Sequence, residues 1–281
     1  MMFYGIITRK FVIVTMGDKM TIKFYNMPYN YKAGITLKDS NMDEQFNMAL
    51  HICQNEQDVL SNRQVLANAL ELPLQQFVFM NQTHSANFKK ITLDDAGKGA
   101  FAADSAIVNT DALYTLEKNI VLTTMSADCA PITFYSEVDG VIGTIHSGWA
   151  GTVKEISYLL FKHLKEVEQI DLCNVKVHIG YSLCAEKFEV DKDVADQFKA
   201  LGYVNDYIQF NNETNKYHID NQLVVKIQCE RAGIPSSNIS LDRECTFLLD
   251  EGFSYRQNKN SGRHISFIVK TEEKNDVEAT N

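Results

Sequence analysis

The segment from 119 to 167 constrains the fold of this chain more than any other part of its sequence. Runs rich in β-branched residues predict three consecutive strands there, at 119–126, 131–137 and 141–147. Asp139 and Gly140 form a typical hairpin turn between the last two strands. The turn GWAGT then leads into 153–167, where apolar residues recur at steps of three and four, as on an amphipathic helix.

The start of this helix is predicted from a capping pattern. Thr152 is followed three residues later by Glu155, which predicts a helix N-terminus at Thr152. His146 is therefore expected at the end of a strand, just before a tight turn. Gly148 and Gly151 would let the backbone approach a ligand, and the free N–H groups of the helix could bind an anion. A simple strand-to-helix turn is the alternative.

Helices and strands alternate along the rest of the chain. Helices are predicted at 59–70, 193–201 and 221–233, and strands at 174–180 and 264–270. The expected fold class is α+β with mixed α/β character, with layered mixed β-sheets flanked by helices in a single domain. We expect one catalytic domain over 20–270 and an acidic flexible tail at 271–281. Residues 1–19 are either an N-terminal extension or, through the apolar run at 11–14, a first strand.

Charge and composition exclude several classes of partner. The net charge is −9 without a long basic cluster, which argues against nucleic acid or an anionic membrane surface as the main partner. No apolar run reaches the roughly 18 residues of a membrane helix. Six cysteines without a C-x-x-C pair are typical of reduced thiols, so we expect a cytoplasmic protein. No sequence pattern specifies an oligomeric state.

Three segments concentrate polar residues among apolar ones: NQTHS (81–85), SADCAP (126–131) and IHSGWAGT (145–152). Their His84, Cys129 and His146 can be the ligands of one metal ion. Imidazole and thiolate suit Zn²⁺, and three protein ligands leave a fourth position for water or substrate. The alternative is that Cys129 is a small buried hydrophobe and the histidines satisfy loops.

Three arginines are candidates for binding an anion. Arg63, Arg256 and Arg263 lie next to polar or glycine residues. A guanidinium group matches phosphate through a planar fork of donors. Charge on a helix face or on the surface is the alternative for each of them.

The motifs occur in a specific order: NR (62–63), NQTHS, TDALYT (110–115), SADCAPITFY (126–135), GVIGTIHSGWAGT (140–152), IGYSLCAEKFEV (179–190), CT (245–246), FSYR (253–256) and SGR (261–263). This series resembles the multicopper polyphenol oxidase (laccase-like) family, whose better-characterised members are purine nucleoside phosphorylases with adenosine deaminase activity. The metal ligands of that family, a His, a Cys and a His, fall on His84, Cys129 and His146. The family usually has a basic residue at the position of Ala150 and often a glycine at that of Cys184.

The resemblance implies a zinc enzyme, with copper as the other candidate metal, whose partners are purine nucleosides and phosphate. Phosphate would displace a purine from C1′ of the nucleoside, and deamination of adenosine could share the site. Catalytic roles are expected for Cys129, His146 and Asp128. Substrate contacts are expected from Arg63, Gln82, Asp111, Gly148, Thr152, Arg256 and Arg263.

Three other functions stay open at this point. A copper-dependent polyphenol oxidase is the first, although multi-copper sites use many histidines in His-x-His pairs, and this chain has seven histidines and no such pair. A Cys-His hydrolase with Cys129 as nucleophile and His146 as base is the second. A non-catalytic nucleoside-binding protein is the third. Ala150 and the segment 179–190, which both depart from the family pattern, favour it.

Overall fold

The computed structural model describes residues 13–16 and 19–272, with side chains from residue 21 onward. In this part of the chain the strands are, in order, β1 (Ile13–Met16), β2 (Lys19–Phe24), β3 (Tyr31–Thr36), β4 (Phe77–Val78), β5 (Phe88–Lys90), β6 (Ala112–Thr115), β7 (Val121–Ser126), β8 (Ala130–Tyr135), β9 (Ile142–Ser147), β10 (Lys176–Ile179), β11 (Glu189–Val190), β12 (Ile208–Asn211), β13 (Lys216–Ile219), β14 (Ile239–Leu241) and β15 (His264–Lys270). The α-helices are α1 (Glu56–Leu70), α2 (Trp149–Val153), α3 (Ile156–Glu166), α4 (Lys192–Lys199) and α5 (Asn221–Ala232).

The strands form two large mixed sheets and one small sheet. The first has the order β1-β2-β3-β15-β7-β4, and the second has the order β14-β10-β8-β9-β6-β5. The first sheet is antiparallel except at one end, where β4 pairs in parallel with β7. The second sheet is antiparallel except at both ends, where β14 pairs in parallel with β10 and β5 with β6. The third sheet, β11-β13-β12, is antiparallel.

The two large sheets lie face to face between helices. On the outer face of the first sheet, Leu66 of α1 packs in one cluster with Phe267 of β15. Between the sheets, Leu122 of β7 shares a cluster with Ile142 of β9. On the far face of the second sheet, helices α3 and α5 cover a third cluster. The order of layers is therefore helix, sheet, sheet, helix, because each sheet buries two apolar faces.

The expected fold class is confirmed: the chain has layered mixed β-sheets flanked by helices. The strands predicted at 119–126, 131–137 and 141–147 are β7, β8 and β9, and Gly140 in the hairpin turn has a φ of 70°. The helices predicted at 59–70, 193–201 and 221–233 are α1, α4 and α5.

The predicted helix start at Thr152 is wrong. Helix α2 already begins at Trp149, directly after Gly148. The helical conformation is interrupted at Glu155, whose φ is 60°, and α3 begins at Ile156. The capping box does not form, because the Glu155 carboxylate accepts a hydrogen bond from the hydroxyl of Tyr203 at 2.6 Å.

Parts of the sequence near each terminus lie outside the described residues. Ile13–Met16 pairs antiparallel with β2, so part of the 1–19 segment is a strand. Residues 1–12 and 17–18, and with them most of the proposed N-terminal extension, lie outside the described residues, as do residues 273–281 of the expected tail. No helix in the part of the chain that the structure describes is long and apolar enough to span a membrane.

The close approach of β8 and β9 can be tested at Gly143. A Cβ atom there would lie 2.1 Å from the Phe134 ring and 2.7 Å from the Leu113 carbonyl oxygen. We expect Gly143→Ala to lower the free energy of unfolding by about 3 kcal/mol through overpacking. Gly202→Ala is the control, because its φ is 78° but no atom lies within 4 Å of its Cβ position.

Strain alone should cost that control about 1 kcal/mol. Urea titration of the two variants and the unmodified protein measures both values. Equal losses at the two positions would contradict the overpacking argument.

Candidate metal centre

Three neighbouring loops and strand ends bring the sequence-predicted ligands together. His84 lies between β4 and β5, Cys129 lies in the turn between β7 and β8, and His146 lies in β9. Their ligand atoms are all within 4.8 Å of one another, and Cys129 Sγ is 3.8 Å from His84 Nε2. Tetrahedral Zn²⁺ with Zn–S of 2.3 Å and Zn–N of 2.0–2.1 Å would separate S and N by about 3.6 Å. The donor types and their spacing therefore fit a zinc ion.

No other group of three His, Cys, Asp or Glu side chains converges in this way among the residues that the structure describes. The rings of His84 and His146 are arranged edge to face, with centroids 4.9 Å apart and an interplanar angle of 70°. The two rings are therefore not stacked. The cluster can hold one metal ion.

The buried Asp111 positions both histidines. Its carboxylate accepts hydrogen bonds from the backbone N–H groups of Thr83, His84 and Ser85 at 3.2, 3.0 and 2.7 Å. The Ser85 hydroxyl also donates to it at 2.6 Å, and His146 Nδ1 donates at 2.9 Å. Because Nδ1 of His146 bonds to Asp111, Nε2 of His146 is left as the ligand atom. A carboxylate behind a metal-ligating histidine sets its tautomer and orientation.

The same contacts set the ionisation of the site. Burial opposes ionisation of the Cys129 thiol, but the neighbouring His146 and His84 outweigh it and lower the pKa of Cys129 to about 6. Burial likewise opposes a charge on His146, while Cys129 and Asp111 raise the pKa of His146 to about 9. Although burial acts against it, the hydrogen bonds from His146 and Ser85 hold the pKa of Asp111 well below its usual range. These contacts favour the thiolate form of Cys129, which is the form that binds metal.

Gly148 is required for the ligands to converge. A Cβ atom at this position would lie 2.7 Å from His84 Cδ2 and 2.8 Å from Cys129 Sγ. Any side chain there would separate the ligands. The turn thus brings its backbone close to the site, as the glycine pattern predicted, although the group that it contacts is the ligand set itself.

Asp128, next to Cys129, has a left-handed backbone with a φ of 90°. Its carboxylate accepts hydrogen bonds from the Thr246 hydroxyl at 2.7 Å and from the backbone N–H of Arg256 at 2.6 Å. Its carbonyl oxygen accepts a third bond from the N–H of Leu183 at 2.9 Å. These three contacts compensate the strained backbone and fix the Cys129 turn.

A cavity of about 650 Å³ lies beside the ligands. The sequence-predicted site residues that line it are His84, Cys129, His146, Asp128, Gln82, Arg63, Arg256 and Arg263. Asp111, Gly148 and Thr152 do not line it; the first two support the ligands from behind.

Thr152 is fully buried and has no free backbone donor. Its N–H bonds to the Gly148 carbonyl oxygen at 2.9 Å, and its hydroxyl contacts Ser147 Oγ at 2.8 Å. It is an internal residue of α2 and not the first residue of a helix. The expected anion site on the N–H groups of a helix starting at Thr152 is therefore absent.

Arg63 is a buried cation in the cavity wall. Its Nε donates to the Met48 carbonyl, and its Nη1 donates to the carbonyls of Gly99 and Ala100, at 2.7–2.9 Å. The guanidinium carbon also lies 3.9 Å from the centroid of the Phe79 ring. Burial lowers the pKa of Arg63 to about 9. No carboxylate in the described part of the chain forms an ion pair with it.

Arg263 extends this positive region, and His51 lines the same cavity. Burial lowers the pKa of His51, and the charges of Arg263 and Arg63 lower it further. Burial also lowers the pKa of Arg263. The guanidinium groups of Arg63, Arg256 and Arg263 and an imidazole thus line one cavity, and none of them forms an ion pair in the described residues.

The remaining predicted polar residues mostly organise the cavity wall. Arg256 Nη1 donates to the carbonyls of Lys187 and Glu189, both at 3.0 Å. Gln82 forms two bonds of 2.8 Å with the backbone of Met125 in β7. Their donors and acceptors are therefore at least partly occupied by the protein.

Sequence patterns did not point to several cavity residues, among them His51, Ser126, Asn221 and Phe188. Ser126 and Phe188 lie inside matched motifs and could have been proposed from them, whereas His51 lies outside every motif. Asn221 is 7% exposed, and its Oδ1 has no hydrogen-bond partner in the described residues. The Ser126 hydroxyl also lacks one there.

Comparisons with known proteins identify the family of this chain. Residues 33–271 match the model of a family described as multi-copper polyphenol oxidoreductase laccase. A purine nucleoside phosphorylase of Staphylococcus saprophyticus is 35% identical over 90% of this chain and 99% of its own length. The purine nucleoside phosphorylase YlmD of Bacillus subtilis is 34% identical over 84% and 87%.

Two solved structures share the fold. The hypothetical protein YfiH of Bacillus licheniformis matches with a TM-score of 0.85 and 28% identity, over 90% of this chain and 98% of that protein. YlmD of Geobacillus stearothermophilus also has a TM-score of 0.85, with 27% identity over 94% of this chain and all of its own.

The role of Gly148 gives a test of the metal centre. We expect Gly148→Ala to weaken zinc binding at least about tenfold, because the methyl group would push Cys129 and His84 apart. Gly151→Ala in the same helix is the matched control, since its nearest contacts would be 3.4–3.6 Å. Zinc titration of both apo variants measures the change. Equal affinity in the two variants would contradict this arrangement of ligands.

Proposed function

Because the chain belongs to the multi-copper polyphenol oxidoreductase laccase family, we propose that it is a zinc-dependent purine nucleoside phosphorylase. The observation that carries the proposal is one cavity that combines a His–Cys–His ligand cluster with the buried Arg63, which has no acidic partner in the described residues, and the partly buried Arg263. Relatives with 34–35% identity are purine nucleoside phosphorylases by name. The proposed substrates are a purine nucleoside and inorganic phosphate.

The cavity suits two small substrates. Its volume of about 650 Å³ lies within the range of about 300–1,000 Å³ that is typical of ligand pockets. Its wall includes Phe188 and Trp149, which offer aromatic surfaces to a flat base. Asn221 and Ser126 add polar side chains to the same wall.

The positive region is the proposed phosphate site. Arg63 is buried without a carboxylate partner and Arg263 is partly buried, so a bound dianion would offset part of the free-energy cost of placing their charges there. Guanidinium groups also match phosphate oxygens by their planar arrangement of donors. His51 adds a third group that can donate a hydrogen bond to phosphate.

In the proposed reaction a phosphate oxygen forms a bond to C1′ while the bond from C1′ to the purine nitrogen breaks. The electron pair of the breaking bond goes to the purine, which takes up a proton, and ribose 1-phosphate is the second product. Arg63 and Arg263 would hold the attacking oxygen against C1′ and reduce its freedom. Cys129, His84 and His146 would hold zinc, which when bound supplies Lewis-acid polarisation of substrate or water.

For Asp128, the contacts favour a positioning role. Both of its carboxylate oxygens accept hydrogen bonds from the protein, from Thr246 and Arg256. We therefore propose that it fixes the Cys129 turn rather than transferring a proton to the purine. Asp111 acts in the same way on the two histidines, and neither carboxylate is proposed to contact substrate.

Adenosine deaminase activity is proposed as a side reaction of the same site. It needs water in place of phosphate and a metal that makes this water more acidic. The same three ligands would serve it. Copper in place of zinc is the other candidate metal, because imidazole and thiolate also bind copper.

A Cys-His hydrolase is the second candidate. The observation in its favour is the series Asp111, His146 and Cys129, in which a carboxylate orients an imidazole beside a thiol of lowered pKa. A multi-copper oxidase is not favoured, because the described residues contain a single cluster of ligands with metal-binding spacing.

The first test is a chromatographic assay of the zinc-loaded protein with adenosine or inosine, with and without phosphate. We expect phosphate-dependent release of adenine or hypoxanthine, and a loss of at least about 100-fold in Cys129→Ala, because it removes a metal ligand. Cys173→Ala, which changes an exposed cysteine, is the matched control and should retain full activity.

Other results of this assay would each point to a different function. Inosine formed from adenosine without phosphate would make deamination the main activity. Activity in metal-free protein that is abolished by thiol alkylation would support the hydrolase. Tight nucleoside binding without turnover would support a binding protein, and each of these results would contradict phosphorolysis as the function.

The phosphate site is tested by Arg263→Gln. We expect the KM for phosphate to rise about 10- to 100-fold, because a hydrogen bond between charged groups is worth about 1.5–3 kcal/mol. Arg231→Gln is the control, since Arg231 is exposed and contacts the Tyr203 ring outside the cavity. Steady-state kinetics at varied phosphate measure both variants. An unchanged KM for phosphate in Arg263→Gln would contradict its role in binding the anion.

A further inference from the structure

Two cysteines outside the metal centre lie in direct contact. Cys184 follows β10, Cys245 follows β14, and their Sγ atoms are 2.6 Å apart. The backbone N–H of Cys184 also donates to Cys245 Sγ at 3.2 Å. An isolated parallel bridge between Ser182 and Cys245 aligns the two segments. The two thiols are therefore held together by backbone pairing as well as by side-chain packing.

The sulfur separation suits a covalent link. A disulfide holds its two sulfur atoms about 2.05 Å apart, so a small side-chain movement would bring the sulfurs of Cys184 and Cys245 to bonding distance. All six cysteines are in the described residues and are free, and this pair alone is in sulfur contact among them. We propose that Cys184 and Cys245 form a modification site at which a small-molecule disulfide such as oxidised glutathione creates an intramolecular disulfide.

The proposed chemistry is two successive thiol–disulfide exchanges. The Cys184 thiolate, the more exposed of the two, attacks one sulfur of the small disulfide and releases one small thiol. The Cys245 thiolate then attacks the Cys184 sulfur of the mixed disulfide and releases the second small thiol. The protein loses two thiol protons and two electrons, and the small disulfide is reduced to two thiols.

The surroundings disfavour the Cys184 thiolate at neutral pH. Burial and the thiol of Cys245 raise the pKa of Cys184 to about 11, whereas the backbone N–H of Lys187 acts against this rise. Lys187 and Arg243 also lie close enough for their positive charges to interact with the Cys184 sulfur. Exchange is therefore expected to become faster as the pH rises.

The site is coupled to the cavity wall by short contacts. Leu183, beside Cys184, lines the cavity and donates its N–H to the Asp128 carbonyl at 2.9 Å. Thr246, beside Cys245, donates its hydroxyl to the Asp128 carboxylate at 2.7 Å. A bond between the two cysteines would tie together the two segments that hold the Cys129 turn.

The experiment uses the purified full chain, reduced and then equilibrated with oxidised glutathione at mildly alkaline pH. Remaining thiols are alkylated, and the protein is digested with trypsin without reduction. Cys184 falls in peptide Val177–Lys187 and Cys245 in peptide Glu244–Arg256, each with a single cysteine. We expect these two peptides to be disulfide-linked in mass spectrometry and to separate on reduction.

Two variants control the assignment. Cys184→Ser should abolish the linked peptide, whereas Cys173→Ser, which changes an exposed cysteine, should retain it. Recovery of both peptides alkylated, or as separate glutathione adducts, would overturn the proposal.

A second measurement tests the link between the two segments. The disulfide closes a loop between residues 61 positions apart, so we expect oxidation to raise the Tm by roughly 5 °C. Cys184→Ser should show no difference between the oxidised and reduced protein. An equal Tm for linked and reduced wild-type protein would contradict the constraint on these segments.

Discussion

The candidate site depends on the carboxylate of Asp111. It accepts bonds from three successive backbone N–H groups at 83–85, which cradle it as in an anion-binding nest. This contact holds His84 in a left-handed conformation with a φ of 56°. The same carboxylate bonds to His146 Nδ1, and the Asp111 carbonyl accepts the N–H of His146 at 2.7 Å. One buried charge therefore positions two ligands from distant parts of the sequence.

The third ligand is positioned by strand register. In the β8–β9 hairpin, Pro131 pairs with His146 and Ala130 pairs with Ser147. Cys129 directly precedes β8, so the antiparallel register places it beside the end of β9, where the chain turns at Gly148. A shift of one residue would point alternate side chains to the other face of the sheet. The hairpin turn at Asp139 and Gly140 and the close packing at Gly143 thus act on the site from a distance.

Local patterns in the sequence predicted the features that depend on local physics. The β-branched runs gave β7 to β9, because such residues favour strands wherever they occur. The pattern of Thr152 and Glu155 misled, because their side chains bond to Ser147 and Tyr203 instead of capping a helix. The carbonyl partners of Arg63 lie 15 to 37 positions away in the sequence, so no local pattern could reveal that it is buried.

Ala150 illustrates how the structure changes the meaning of a sequence difference. The resemblance led us to expect a basic residue at this position for holding an anion. In the structure Ala150 lies in α2 and does not line the cavity, whose positive charge comes from Arg63 and Arg263. The absence of a cation at 150 leaves the buried guanidinium group of Arg63 and the partly buried one of Arg263 in place. An anion beside them would offset part of the free-energy cost of holding their charges in the cavity wall.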